Sequence, residues 1–154
     1  MPIAKYELKC QLSAHHLMQV ITDFESYSDF LPEVQSTVVQ QKGPPVWEVS
    51  FELQLIRPLK YRLRLEQKSD YEIEWSLIDG FFTSNKGRWL LTPDQEQTIV
   101  VYEIEMHLHQ FLPRSISNSL TKRSLPATVE RFVEEAKKRL AMQVVLQKNA
   151  QDDN

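Results

Sequence analysis

His107 and His109 stand two residues apart in an alternating segment. On a strand both rings would share one face, roughly 7 Å apart. Two imidazoles at that spacing can hold a metal ion. However, Tyr102, Ile104, Met106 and Leu108 take the opposite, dry parity, so the histidines are expected to face water, and no third ligand is in view. His15 and His16 are neighbours on a helical segment, about 100° apart, and cannot chelate together. Acid–base chemistry needs polar groups facing the interior. Residue parity puts Asp79, Thr83 and Asn85 there, with Ser36 and Gln40 as weaker members of the set. Asp79 and Asn85 are therefore the first suspects for any enzymatic role, although no paired carboxylates and no nucleophile–base pair emerge to make either one catalytic. Cys10 is the single cysteine, so neither an internal disulfide nor a CxxC pair is open to the chain. Gly43, Gly80 and Gly87 are the only glycines and form no GxGxxG or P-loop pattern. No cofactor and no metal site is expected.

The bulk numbers bound the rest. With 154 residues, 42% hydrophobic and 25% charged, the chain suits one domain over 1–147, followed by a polar tail at 148–154 that is expected to be disordered. A net charge of −3 argues against a nucleic-acid partner. No run approaches the ~20 apolar residues of a membrane span. The start lacks the apolar stretch of a signal peptide. With a lone cysteine, these features lead to an expectation of a cytoplasmic protein.

The elements that would position any site are strongly written. Between residues 47 and 77 apolar and polar side chains alternate: Trp47, Val49, Phe51, Leu53, then Leu59, Tyr61, Leu63, Leu65, then Ile73, Trp75 and Leu77 all fall on odd numbers. Period two means strands with one dry face. Ala4 to Leu12 alternates likewise, Val34 to Gln41 is a weaker strand, and 83–91 and 99–109 read as two more. Ser13 can cap a helix carrying Leu17, Val20, Ile21 and Phe24; a second short turn holds Tyr27 and Phe30 and stops at Pro32. From Leu125 the spacing is helical through Val129, Phe132, Val133, Ala136, Leu140 and Val144, and the helix is expected to end near Gln147.

Parity also constrains the hairpins, because residues opposite one another share a face. A two-residue loop of Arg57 and Pro58 would pair Ile56 with Leu59, dry against wet, so a three- or five-residue loop is expected. The registers then considered set Glu52 opposite Arg62 or Arg64, and Arg64 opposite Glu72 with Arg62 opposite Glu74. The outer face would read acidic, basic, acidic across these three strands.

Two segments carry a resemblance. Asp23-Phe24-Glu25-Ser26-Tyr27-Ser28-Asp29-Phe30-Leu31-Pro32 and Asp79-Gly80-Phe81-Phe82-Thr83-Ser84-Asn85-Lys86-Gly87-Arg88-Trp89 resemble two signatures of the polyketide cyclase/coenzyme Q-binding branch of the START/SRPBCC superfamily. The resemblance spans roughly residues 4–142 and implies an α+β helix-grip fold. In that fold a curved antiparallel sheet of six to seven strands wraps a long C-terminal helix, with two short helices after the first strand. It also implies an internal cavity for an apolar guest such as a lipid, quinone or polyketide-like molecule. The expected lining is Phe24, Phe30, Phe51, Leu53, Tyr61 and Leu63 from the first half. Trp75, Asp79, Asn85, Trp89, Tyr102 and Met106 complete it, with Val129 and Phe132 from the last helix. Binding or transport of the guest is the leading expectation. A cyclase/aromatase-like or hydrolytic enzyme and a ribosome- or protein-associated module are the alternatives. Apolar and basic residues in 111–126 suggest transient membrane contact. The oligomeric state is open.

Overall fold

Strands with one dry face need a cover, and the computed structural model, which describes residues 3–54, 57–107 and 125–152, supplies one. The order is β1 (Ile3–Cys10), α1 (Ala14–Ile21), a 3-10 turn (Phe24–Ser26), α2 (Tyr27–Phe30), β2 (Val34–Gln41) and β3 (Val46–Gln54). It continues with β4 (Pro58–Ser69), β5 (Glu72–Gly80), β6 (Ser84–Asp94), β7 (Gln97–His107) and α3 (Leu125–Asp152). The strands form one curved antiparallel sheet in the order β1-β7-β6-β5-β4-β3-β2. This is the expected helix-grip arrangement. Ser13 caps α1 as its position predicts, accepting the backbone N–H of His16 at 3.2 Å.

The first motif locks the short helices onto the sheet and onto α3. The Tyr27 hydroxyl donates to the carbonyl of Ile21, and the Thr37 hydroxyl of β2 donates to that of Phe24. Asp23 pairs with Arg139 of α3 at 3.0 Å.

Parity holds at the β3–β4 hairpin, but the register differs from both that were expected. Gln54 faces Pro58, which leaves three residues between the strands, and Glu52 faces Lys60 instead of Arg62 or Arg64. In the next hairpin Arg64 faces Ser76 and Glu66 faces Glu74, so the expected Arg64–Glu72 and Arg62–Glu74 pairs do not form. The acidic–basic–acidic row exists two strands further on: Glu74, Arg88, Glu103 and Lys5 stand opposite one another across β5, β6, β7 and β1.

Two bulges reset which side chains face inward. Between Leu77 and Asp79 the β5 ladder shifts by one residue, leaving Ile78 extra. A similar shift lies between Val34 and Ser36 on β2. Beyond each shift the odd–even rule reverses. Asp79 therefore turns outward, 62% exposed and paired with Arg62 at 2.7 Å. Ser36 and Gln40 also face out, bonding Glu52 and Ser50 on β3. Their assignment to the interior is corrected by these bulges.

The cover, α3, buries Leu125, Val129, Phe132, Val133 and Ala136, and Leu140 packs against the same core. The helix continues to Asp152, past the expected end at Gln147, but from residue 141 to 150 every position is exposed. Val144, counted in the buried stripe from its spacing, is 57% exposed: the curled sheet is narrower than the helix is long. Among the described residues, no helix is long and apolar enough to cross a membrane.

Candidate ligand cavity

Between the concave face and α3 the side chains leave a cavity of about 180 Å³. Its floor is β3 to β7: Phe51, Leu63, Trp75, Trp89 and Tyr102 point up from successive strands. Its roof is Leu125, Thr128 and Phe132 of α3, and Tyr27 and Leu31 close one side from the first motif. The rings interlock edge to face. Phe132 lies 4.8 Å from Trp89 and 5.2 Å from Tyr27, and Tyr102 lies 4.6 Å from Trp89. Aromatic edges against faces favour this arrangement. It also explains why the space is modest: five large strand residues fill much of what a curved sheet would otherwise leave open.

The second motif shapes one wall. Gly80 has φ +120°, a conformation that side-chain-bearing residues rarely adopt, and a Cβ there would collide with the backbone of Tyr61. This lets β5 end tight against β4 behind Tyr61. Gly87 faces Trp75 across the β5–β6 ladder, and a Cβ would strike its indole. The room that glycine leaves lets the Trp75 Nε1–H reach Asn85 Oδ1 at 3.1 Å, a buried bond.

That bond decides what Asn85 can offer. An indole N–H only donates, so it fixes Oδ1 toward Trp75. The amide NH₂ remains for the cavity, which Asn85 lines while 4% exposed. Three phenols converge on the same space. Tyr27 spends its hydroxyl on Ile21, while Tyr61 and Tyr102 line the cavity and donate to no described residue. Burial raises the pKa of all three above that of an ordinary phenol, and the Tyr102 charge raises that of Tyr61 further. At neutral pH they are uncharged donors. Glu33 is the one charged residue among the described lining, and Arg131 of α3 pairs with it at 2.9 Å.

The structure brings together most of the residues expected to line a cavity: Phe24, Phe51, Leu53, Tyr61 and Leu63, then Trp75, Asn85, Trp89, Tyr102, Met106 and Phe132. Phe30 stands just outside, its ring 5.2 Å from Phe132. Val129 is fully buried in the core and does not reach the space. Asp79 is on the other side of the sheet. Phe82 is missed by parity, because its even number assigns it to the wet face. It follows the β5 bulge and the irregular stretch 81–83, and is 4% exposed beside Tyr61. Its place in the second motif was the available signal. Tyr27 and Leu31 likewise belong to the first motif. His107 pairs with Glu105 at 3.3 Å. His109 and the membrane-contact segment up to residue 124 lie outside the described residues, while Leu125 and Pro126 open α3.

A family model described as "Polyketide cyclase / dehydrase and lipid transport" matches residues 10–133. No curated protein matches by sequence. Among solved structures, TTHA0849 from Thermus thermophilus superposes with a TM-score of 0.75 at 17% identity, over 92% of this chain and 99% of that one. The Zhui aromatase/cyclase from Streptomyces sp. R1128 superposes with a TM-score of 0.78 at 15% identity, over 90% and 94%. A STAR-related lipid transfer protein from Xanthomonas axonopodis gives 0.72 at 13%, over 88% and 85%. At these identities the likeness is one of fold.

Proposed function

The chain belongs to the polyketide cyclase/dehydrase and lipid transport family, and from that premise we propose that it binds and carries an apolar small molecule in the cavity beneath α3. The observation that supports carriage over catalysis is the chemistry of the lining. Aromatic and aliphatic side chains make up most of it, and the described polar groups are neutral hydroxyls and an amide, or an already paired carboxylate. Such a surface gains by burying an apolar guest. The cyclase-like or hydrolytic reading needs an acid or base facing the guest; of its two first suspects, Asp79 stands on the outer face, and Asn85, which does line the cavity, is an amide that does not ionise. With Cys10 unpaired and buried, the cytoplasm is the compartment proposed.

Mass spectrometry of cell-purified protein after denaturation tests this. A lipid-, quinone- or polyketide-like molecule at near-stoichiometric amount is the expected result. Added back at a hundredfold its Kd, it would stabilise the fold by about 2.7 kcal/mol. Protein that is consistently empty, with an unchanged Tm across lipids and quinones, would remove the proposal.

A further inference from the structure

Resting on the cavity reading, we infer that the bound end of the guest is a neutral carbonyl compound of about one ring's width, such as a ketone, ester or quinone, and not a free carboxylic acid. An apolar cavity of about 150 Å³ accepts benzene, and this one is about 180 Å³. A ring or a short acyl segment therefore fits inside, and any larger guest leaves its remainder beyond these walls.

The polar groups narrow the choice further. The Asn85 amide keeps both N–H groups to offer, while its oxygen is held toward Trp75. Tyr61 and Tyr102 bring two hydroxyls with no partner among the described residues. An apolar ring filling the cavity would shut water out and leave such groups without a partner, which is costly. A guest carbonyl, which only accepts, would satisfy donors of this kind in a way that water cannot while the ring occupies the space. A carboxylate would also accept, but its charge would enter the cavity without a cation. The described lining has no Lys or Arg, and Arg131 beside it is already paired with Glu33. Burying an unpaired charge costs far more than the hydrogen bonds return.

Three probes of one shape separate the possibilities: acetophenone, ethylbenzene and benzoate, titrated at pH 7 and followed by the indole N–H resonance of Trp75. Acetophenone is expected to bind roughly three- to tenfold more tightly than ethylbenzene, the span of one net hydrogen bond. Benzoate is expected not to saturate. In the double variant Tyr61→Phe and Tyr102→Phe, the preference for acetophenone over ethylbenzene should shrink toward one. Its Tm should not fall, because neither hydroxyl has a described partner in the protein to lose. A purely structural role for these hydroxyls would move the Tm and leave the preference intact. Equal binding of ethylbenzene and acetophenone, or benzoate as the tightest probe, overturns the inference and leaves the cavity reading standing. Failure of all three to shift Trp75 overturns the cavity reading itself.

Discussion

On the outer face of the sheet, Glu74, Arg88, Glu103 and Lys5 stand opposite one another across four strands. Arg88 holds Glu72 at 3.1 Å and Glu103 at 3.0 Å, and Lys5 reaches Glu103 at 3.8 Å. Even the like-charged neighbours Glu66 and Glu74 share Lys68 between them. On the concave face of the same strands, Asn85, Tyr61 and Tyr102 direct donors at the cavity. On the outer face these charges pair with one another, and on the concave face some donors are held in reserve. The difference separates what maintains the register from what is available to a guest. Exposed pairs sit in high dielectric and add little each. The rings around the cavity bury large apolar areas and dominate the energetics.

If that division is right, the largest loss should come from the concave side. Phe132 joins α3 to the first motif and to β6 through its contacts with Tyr27, Phe30 and Trp89. Phe132→Ala should destabilise the fold by ~3–5 kcal/mol, the cost of a ring removed from a packed core. Urea unfolding measures it. A loss below ~1 kcal/mol would mean that the rings are not what holds helix and sheet together.

A smaller loss is expected where the two faces exchange residues. The bulge beside Ile78 turns Asp79 outward, and Gly80 follows it with a left-handed φ against the Tyr61 backbone. Gly80→Ala should cost ~1–3 kcal/mol. It should also disturb Tyr61, so the Tyr61 ring resonances should shift more than those of Tyr102. A variant as stable as the parent, with Tyr61 unmoved, would show that the bulge is not pinned there.

The same bulges mark how far the sequence could be read. Every strand from β3 to β7 announced itself by alternation, because a half-buried strand must alternate. Most of the cavity lining followed from that parity. Parity is only a local count, however. One extra residue at Ile78 and another near Gln35 invert the positions that follow, and a second shift between Val39 and Gln41 resets β2 again, so local parity puts Asp79, Ser36 and Gln40 on the wrong face and misses Phe82. Bulges are set by twist and by contacts with neighbouring strands, and no residue type announces them here except Gly80. The end of the buried stripe on α3 was equally illegible: Leu140 and Val144 have the same chemistry and spacing, and only the width of the curled sheet decides which is covered.

The smallest effect should come from the outer face, even at its most connected residue. Arg88 lies at the centre of the ladder, bonded to carboxylates on both neighbouring strands, and its side chain is 37% exposed. Arg88→Met keeps much of the apolar stem and removes the charge. The expected loss is no more than about 1 kcal/mol at low ionic strength. It should shrink in 1 M salt, where the screening length falls to about 3 Å. Phe132→Ala has no charge to screen, so its effect on stability should not shrink in that way. If Arg88→Met instead cost as much as Phe132→Ala and ignored salt, the ladder would be a structural element equal to the core, and the contrast between the two faces would fail.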